Sequence, residues 1–598
     1  MTSLGAQTPA TAEPLSVPDI IGMTLFSSNA HNGASDDVHV LSPDGTRVAV
    51  VVQRGNLAKN TVDYALLVFS TSTQPTEPRP DTLLVFSATT NAPAIAHVAW
   101  LNDGRTLAFL GAEGHALPQV FTIDLATHAA TARTHSSTGV TWYTISANGE
   151  PIIYQERGRV DTSDYAGMRA KGFAVDRSLW PSDLILGDFR GVVRNAENPS
   201  TYRIARGGGD RPLNLPDSST DYRHCEIQPW YGAPLSPSGD ALLIGCDPRT
   251  PPAWWKAYRN PRYRLFADQW RAVGQQLVLL DLASGQARRV YDAPLLLQAE
   301  TNWAWAPDGR SIVLSTALLP LTGPDSARRL SSRMVVELDL MTRAFTTVVP
   351  RDSLIVRDWN PRTGVVEFAQ APAWFEVNDA TQRVFYRKDG RGWRSVAALA
   401  PRFLVREDPN TPPRLMAVDP ATRRSRVVFD PNRTLFDRRR LGRVEVTHYT
   451  SKSGRKYAAG VYYPPDFSTG HRYPLVIQTH GYDSTTFSPD GPFTSGTAAQ
   501  PLAGSGIVVA QAAELISGND AVDGTPEEGP SYQDMWEGLI DELDRRGVID
   551  RARIGLHGFS RTCFAALYFL THSSYPIAAA DLTDGVDYSY LQFLVYRG

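Results

Sequence analysis

Residues 553–562 read RIGLHGFSRT, and the fold of the C-terminal part of the chain follows from this stretch. An apolar strand ends in a tight turn at Ser560, and a helical pattern follows the turn. Backbone that folds back sharply between a strand and a helix needs small residues next to the turn. Gly558 meets that need two residues before the serine, whereas Thr562 replaces the usual glycine two residues after it. The stretch therefore predicts a strand–turn–helix unit that exposes the hydroxyl of Ser560.

The sequence around this turn alternates apolar strands with a helix. Residues 473–478 and 506–510 are continuous apolar runs, as expected for a parallel sheet that is covered on both faces. Between residues 532 and 546 apolar side chains recur at helical spacing, with charged residues on the opposite face. This alternation predicts a doubly wound α/β domain over residues 436–598. The strand–turn–helix unit at Ser560 is the nucleophile elbow of α/β-hydrolases, so we expect an α/β-hydrolase domain.

A second loop supports Ser560 as a catalytic nucleophile. His480-Gly481-Tyr482 follows the apolar strand at 473–478, where α/β-hydrolases place a loop that supplies one N–H group of the oxyanion hole. We expect that donor to be the backbone N–H of Tyr482, and the other donor to be that of Arg561, directly after the serine. The alternative is that Ser560 only caps the following helix, because serine is a favoured N-cap residue. The order of strand, turn and upstream loop favours the nucleophile.

A serine nucleophile also needs a base and an acid, which in this fold follow it in the order acid, then histidine. His572 is the one histidine after Ser560, and it follows the helix that begins at the serine, so it points away from the hydroxyl. Asp581, Asp584 and Asp587 are more typical of turn or substrate-loop residues than of a triad acid. The triad acid and base are therefore predicted to be absent from this chain.

Residues 36–435 repeat a turn signature that precedes short strands. Turns of the form S-P-D-G, or a looser variant, occur at 42–45, 101–104, 146–149, 236–239, 306–309 and 360–364. Proline presets the turn backbone, and Asp or Asn followed by Gly tolerates the positive φ that reverses the chain. Such hairpins at a period of roughly 45 to 60 residues indicate four-stranded blades. We predict a β-propeller of about seven blades, with one degenerate blade in the gap between the turns at 146–149 and 236–239.

A second signature favours the propeller over the alternative of an open β-sandwich. Apolar strands end in an aspartate and a turn of small residues at Asp124, Asp281, Asp339 and Asp419. A sandwich would also have short strands, but it would not repeat them at this long period. Residues 1–35 are expected to form a segment that leads into these two domains.

The composition and net charge of the chain indicate which kinds of molecule it is expected to bind. With 598 residues, 42% hydrophobic and 20% charged, the chain resembles an ordinary globular protein of two or more domains. A net charge of −3 gives no reason to expect nucleic acid, and no apolar run is long enough to predict membrane insertion. As written, the N-terminus predicts a cytoplasmic protein. Residues 4–7 resemble a signal-peptidase site, so a periplasmic location applies if the start codon is mis-called.

Cysteines and aromatic clusters leave several alternatives open. Cys225 and Cys246 could form a disulfide or remain free thiols, and no cysteine has metal-ligand spacing, so neither a metal nor an organic cofactor is implied. The aromatic run at 254–270 fits packing within a blade insertion better than a substrate-lining role. Glu527-Glu528 is interpreted as an exposed loop, and Gly207-Gly208-Gly209 as a flexible turn.

The propeller followed by a hydrolase domain, with H-G-Y-D at 480–483 and G-F-S-R-T at 558–562, resembles the prolyl oligopeptidase family of serine peptidases. Residues 556–564 and 584–588 are most similar to the bacterial lasso peptide isopeptidases. Those enzymes hydrolyse the bond between a peptide's N-terminal amine and an Asp or Glu side chain. The resemblance implies a peptide substrate and an acyl-enzyme on Ser560.

The resemblance also implies a triad acid and histidine beyond Gly598, so the hydrolase domain is expected to lack its last strands. Loss of a triad base lowers turnover by several orders of magnitude, and we expect the 598-residue chain to be inactive and poorly soluble. Two alternatives remain for the function. One is an oligopeptidase or acylaminoacyl peptidase that cleaves linear peptides, and the other is an inactive propeller binding protein with a decayed hydrolase domain.

Overall fold

The fold was analysed in a computed structural model. The structure describes residues 12–27, 38–71, 80–157, 201–216, 221–227, 234–261, 263–264, 274–295, 302–321, 329–350, 354–370, 383–390, 392–397, 402–419, 421–490, 498–513, 515, 522 and 525–585.

Seven antiparallel sheets follow one another along the described part of the chain, which confirms the predicted propeller. Blades 1 to 3 contain strands β2 (Thr24–Phe26), β3 (His39–Leu41), β4 (Arg47–Asn56), β5 (Thr61–Ser70) and β6 (Asp81–Ala88); β7 (Ile95–Trp100), β8 (Thr106–Gly111), β9 (Gln119–Asp124) and β10 (Ala130–Ala132); and β11 (Val140–Ile145), β12 (Ile152–Glu156), β13 (Thr201–Arg206) and β14 (Gly209–Pro212). Blades 4 and 5 contain β15 (Tyr222–Glu226), β16 (Ala241–Pro248), β17 (Gln276–Asp281) and β18 (Ala287–Arg289), and β19 (Trp303–Trp305), β20 (Ser311–Leu318), β21 (Arg333–Asp339) and β22 (Phe345–Val349). Blades 6 and 7 contain β23 (Leu354–Trp359), β24 (Val365–Gln370), β25 (Arg383–Asp389) and β26 (Gly392–Val396), and β27 (Arg402–Asp408), β28 (Thr411–Val418) and β29 (Ser425–Phe429).

Each predicted S-P-D-G-type turn joins two consecutive strands of one blade: β3 to β4 in blade 1, and the first strand to the second in blades 2 to 6. The glycine of the turn has a positive φ in all six copies; the value is 71° at Gly45 in the first copy and 64° at Gly364 in the last. In the first copy the Asp44 carboxylate accepts hydrogen bonds from the Ser42 hydroxyl at 2.6 Å and from the Thr46 N–H at 3.0 Å. The turn chemistry read from the sequence therefore marks the start of blades 1 to 6.

The prediction of a degenerate blade between Gly149 and Gly239 is wrong. Gly149 lies in the first turn of blade 3 and Gly239 in the first turn of blade 4, so the two turns belong to consecutive blades. The extra residues that lengthen the spacing between these two turns lie mainly between β12 and β13. The end of β12 at Glu156 pairs directly with the start of β13 at Thr201. An insertion between two strands of one sheet lengthens the repeat without adding a blade.

The second signature also has a physical cause in the structure. The Asp281 carboxylate at the end of β17 accepts the backbone N–H groups of Ala283 at 3.1 Å and Ser284 at 2.7 Å. Equivalent hydrogen bonds form at Asp124, Asp339 and Asp419. An aspartate that mimics a turn in this way closes the hairpin between the last two strands of a blade.

Apolar side chains between neighbouring sheets form the propeller core, and they also close the ring. Val48 and Phe69 of blade 1 belong to one buried cluster with Phe403 and Leu415 of blade 7. Within the described residues, blade 7 has three strands and meets blade 1 through these side chains rather than through a shared strand.

A buried carboxylate links blades 5 and 6. Glu337 on β21 accepts hydrogen bonds from the Ser311 hydroxyl at 2.8 Å, from the Lys388 ammonium at 2.7 Å and from the Trp393 indole N–H at 3.1 Å. The Glu337 side chain is 7% exposed, and that of Lys388 is 44% exposed. A buried carboxylate is tolerated here because three donors from two sheets satisfy it.

The structure decides two questions that the sequence left open: the state of Cys225 and Cys246, and the role of the aromatic run that begins at residue 254. Cys225 and Cys246 lie opposite each other on β15 and β16 and form a disulfide. In the 3₁₀ helix Ala253–Ala257 and just after it, Trp255 and Tyr258 are each 1% exposed and pack in a core cluster, which confirms the packing role predicted for this part of the aromatic run. Residues 265–270 of the run lie outside the described residues.

The C-terminal sheet has six strands among the described residues: β31 (Val444–Thr450), β32 (Lys456–Tyr462), β33 (Tyr473–Gln478), β34 (Val508–Ala512), β35 (Ile549–Phe559) and β36 (Ala579–Thr583). Their order is β31-β32-β34-β33-β35-β36, and β33 pairs in parallel with β34 and β35. A parallel centre flanked by helices confirms the predicted α/β-hydrolase domain.

Helices of the described residues are α1 (Val17–Ile21), α2 (Arg433–Phe436), α3 (Ala499–Gly504), α4 (Glu528–Arg545) and α5 (Thr562–His572). Of these, α3, α4 and α5 pack on the C-terminal sheet, whereas α1 contacts β4 of blade 1. Apolar residues of α4 and α5, including Trp536 and Phe569, pack with Ile477 and Leu556 in one buried cluster. Strand β1 (Glu13–Pro14) pairs in parallel with β30 (Arg439–Arg440), so the N-terminal segment lies where the two domains meet.

We predict that Glu337→Ala lowers the free energy of unfolding by about 2 kcal/mol, because it leaves the Trp393 N–H and the Ser311 hydroxyl without their acceptor. Lys388→Ala removes a half-exposed partner and should cost less than half as much. Denaturant unfolding followed by tryptophan fluorescence measures both variants. Equal losses for the two variants would contradict the buried link between blades 5 and 6.

Candidate active site

Ser560 occupies a strained turn at the carboxyl end of β35. Its φ is 49°, a left-handed value that is costly for a residue other than glycine. Two backbone hydrogen bonds hold it there: the Ser560 N–H donates to the Thr583 carbonyl at 3.1 Å, and the Ser560 carbonyl accepts the Cys563 N–H at 3.1 Å. Ser560 is partly exposed, in the position that a nucleophile elbow gives its serine.

Close packing explains why a small residue precedes the turn. A Cβ atom on Gly558 would lie 2.8 Å from Leu582 Cδ2 and 3.2 Å from Ala566 Cβ. Strand β36 and helix α5 therefore leave no room for a side chain at this position. The demand for glycine, expected from the sequence, comes from tertiary contacts on both sides of the elbow.

The His480-Gly481-Tyr482 loop begins beside the elbow. Gln478 pairs with His557 at the ends of β33 and β35, and the Thr479 N–H donates to the His557 carbonyl at 3.2 Å. Because the strands are parallel neighbours, the loop and Ser560 both start from the same edge of the sheet. Gly481 has a φ of 92°, which allows the loop to turn directly after the strand.

The Tyr482 ring anchors this loop on the sheet. A Cβ atom on Gly460 of β32 would lie 1.9 Å from Cε2 of the Tyr482 ring, so the ring packs flat against the glycine backbone. Burial raises the pKa of Tyr482 to about 12. The ring contact fixes the position of the Tyr482 backbone, which is the predicted oxyanion donor.

Arg561, the other predicted donor, caps the N-terminus of α5, where the helix dipole favours a negative charge. Its guanidinium Nη2 lies 2.5 Å from the Glu528 carboxylate, and the Glu528 side chain is 4% exposed. The interpretation of Glu527-Glu528 as an exposed loop is therefore wrong for Glu528. It begins α4 and is buried because it pairs with a cation more than thirty positions away in sequence.

Of the remaining candidate residues, His572 lies far from Ser560, whereas Asp584 directly follows Thr583, whose carbonyl accepts the Ser560 N–H. His572 ends α5, about 15 Å along the helix from its start, and its ring stacks on Tyr568 at 3.9 Å. Asp581 lies on β36 and Asp584 in the turn after it, both exposed. Asp587 lies outside the described residues.

Strand pairing creates one contact that sequence reasoning missed. His557 Nδ1 lies 3.1 Å from Asp581 Oδ2, across the parallel pair β35 and β36. The two residues are neighbours only because the register of these strands places them side by side. No spacing in the sequence predicts that register.

Part of the chain is similar in sequence to a known enzyme. It is 29% identical over 252 residues to the lasso peptide isopeptidase AtxE2 of Asticcacaulis excentricus, and the match covers 38% of this chain and 35% of that protein. None of the protein-family models matches the chain. The matched region thus spans about a third of the relative's length.

Solved structures match nearly the whole chain. The apo structure of AtxE2 isopeptidase has a TM-score of 0.54 at 18% identity, covering 95% of this chain and 79% of the other. The acylaminoacyl peptidase of Pyrococcus horikoshii has a TM-score of 0.57 at 13% identity, covering 96% of this chain and 79% of the other. The chain has the fold of the prolyl oligopeptidase family. This confirms the family resemblance at the level of architecture.

Among the described residues of this prolyl oligopeptidase fold, no helix combines the length and the apolar character that a bilayer crossing requires.

We predict that Gly460→Ala displaces the Tyr482 ring and loosens the loop, because the new methyl group overlaps the ring. Hydrogen exchange of peptides covering residues 478–485 should become faster. Gly392→Ala is the matched control, since its Cβ would meet only the Asp389 carbonyl at 3.9 Å. Unchanged exchange in Gly460→Ala would show that the ring contact does not hold the loop.

Proposed function

We propose that the chain is a serine peptidase whose nucleophile is Ser560. The observation that carries this proposal is the strained elbow at Ser560, with its φ of 49°, directly beside the loop that follows β33. A left-handed serine is costly, and such strain is characteristic of catalytic turns rather than of ordinary helix caps. The same residue in a cap would have an extended backbone.

In the proposed reaction, Ser560 Oγ attacks the carbonyl carbon of an amide, and the carbonyl oxygen becomes an oxyanion. The backbone N–H groups of Arg561 and Tyr482 donate hydrogen bonds to that oxygen. Each such donor lowers the barrier by roughly 3 to 4 kcal/mol in related sites. Collapse of the intermediate expels the amine, whose nitrogen takes up the proton that the Ser560 hydroxyl gave up, and leaves an acyl group on Ser560. Water then attacks this acyl group, releasing the acid and returning a proton to the Ser560 oxygen.

We further propose that the substrate is a threaded peptide whose macrocycle is closed by an isopeptide bond. The support is the sequence match to a lasso peptide isopeptidase, together with the departure of the elbow from glycine at Thr562. Under this proposal the peptide enters between the propeller and the hydrolase domain. The partner class is therefore a small folded peptide.

An oligopeptidase or acylaminoacyl peptidase acting on linear peptides is the second candidate. It is favoured by the structural match to the Pyrococcus horikoshii enzyme, whose TM-score is as high as that of the isopeptidase. Both candidates use the same nucleophile and the same two donors. They differ in the shape of the peptide that binds.

We predict that a fluorophosphonate reagent modifies Ser560 slowly but selectively at mildly alkaline pH, because the two amide donors accelerate the reaction even where the triad base is absent. Since His572 is at the far end of α5, the labelling rate reports mainly on the serine and its two amide donors. Peptide mass spectrometry should locate the adduct on Ser560, and Ser560→Ala should abolish it. Ser573→Ala, at the other end of the same helix, is the control and should label normally. An adduct distributed over several serines would exclude Ser560 as an activated nucleophile.

We predict that the Ser560→Ala variant binds a threaded peptide at least tenfold more tightly than the linear peptide of the same sequence, because a preorganised ligand loses less conformational entropy. Isothermal titration calorimetry of the two peptides gives the ratio. Equal affinities, or tighter binding of the linear form, would favour the oligopeptidase candidate.

A further inference from the structure

Thr562 occupies the position where the elbow usually carries glycine, and its side chain has a defined role there. The residue is 1% exposed and begins α5. Its hydroxyl donates to the Phe559 carbonyl at 2.7 Å, directly before Ser560. The Phe559 N–H approaches the same oxygen at 3.4 Å. Thr562 therefore binds both backbone groups of the residue that precedes the nucleophile.

The Thr562 hydroxyl also reaches the neighbouring loop. Its Oγ1 lies 2.6 Å from Oγ1 of Thr479, a residue that is likewise 1% exposed. A hydroxyl has one hydrogen and two lone pairs. Because the Thr562 hydrogen points to the Phe559 carbonyl, the Thr479 hydroxyl must donate to Thr562. All three bonding positions of the Thr562 hydroxyl are then used.

This bond joins the two segments that carry the proposed oxyanion donors. Thr479 directly precedes His480-Gly481-Tyr482, and Thr562 directly follows Arg561. Both hydroxyls are buried, so loss of the Thr562 hydroxyl leaves the Thr479 hydroxyl without this acceptor in a low-dielectric interior, whereas Thr562 keeps its bonds to Phe559 when the Thr479 hydroxyl is lost. A side-chain bond of this kind opposes separation of the two segments.

We propose that the Thr479–Thr562 hydrogen bond sets the separation between the Tyr482 and Arg561 amides, so that both threonines are positioning residues for the oxyanion hole. The inference rests on the proposed function. It gives a role to Thr562, the residue that stands where such an elbow usually has glycine. A glycine at position 562 would lack this side-chain bond between the elbow and the loop.

The test measures the rate at which a fluorophosphonate labels Ser560 in the full chain. Thr562→Val keeps the β-branched shape and removes the hydroxyl, and we expect it to slow labelling roughly tenfold to a hundredfold, as misplaced donors do in other sites. Thr562→Ser keeps the hydroxyl and should restore a rate within about threefold of the wild type. Rescue by serine separates the hydroxyl from the methyl group.

Thr479→Val removes the other hydroxyl of the same bond. Thr562→Val also removes the bonds to Phe559, so Thr479→Val should slow labelling by an equal or smaller factor. The double variant should be no slower than Thr562→Val alone, because the Thr479–Thr562 bond is already broken there. If Thr562→Val does not fold, the two separate variants Thr479→Val and Thr562→Ser still test whether the hydroxyl–hydroxyl bond affects the labelling rate.

Thr134→Val in the propeller is the matched control. Thr134 is also 1% exposed, and its hydroxyl accepts the Val120 N–H and donates to Gln119, each at 2.9 Å. This variant should lower the thermal midpoint to a similar extent and leave the labelling rate unchanged. If Thr562→Val and Thr479→Val unfold at a lower temperature but are labelled at the wild-type rate, the positioning role is overturned and the proposed function is not. A wild-type chain that is not labelled at Ser560 would overturn the proposed function and this inference with it.

Discussion

Parallel pairing of β33 with β35 is the constraint on which the candidate site depends. Gln478 and His557 stand side by side at the ends of these strands, and the Thr479 N–H donates to the His557 carbonyl. The chain leaves both strands at the same edge of the sheet, so the loop at 480–482 and the turn at Ser560 start next to each other. Residues eighty positions apart in sequence become neighbours through the backbone of the sheet alone.

Side chains then refine what the backbone pairing brings together. The Tyr482 ring packs on Gly460, Gly558 admits the contacts of α5 and β36, and the two buried threonines bond across the strand ends. Each contact uses a residue whose size matters: glycine where another segment passes closely, and a β-branched hydroxyl where a bond must be made in the interior. The elbow can therefore lose one glycine and remain tightly connected.

The propeller shows the same division between local and distant interactions. Its hairpins form because aspartate, proline and glycine satisfy turn geometry within a few residues, as at Asp44 and Gly45. Its closure depends on apolar contacts between distant blades, such as Val48 with Phe403, and on the Glu337 link between blades 5 and 6. Local turn chemistry defines each blade, and long-range packing arranges the blades in a ring.

The sequence by itself determined the turns, the alternation of strands and helices, the elbow at Ser560 and the loop at 480–482, because each depends on residues close together along the chain. It misassigned the long gap in blade 3 and the environment of Glu528, and it missed the His557–Asp581 contact. Those features, like the Thr479–Thr562 bond, depend on strand register and on which helix packs beside which strand. Register and packing arise from the whole core at once, so only the tertiary structure decides them.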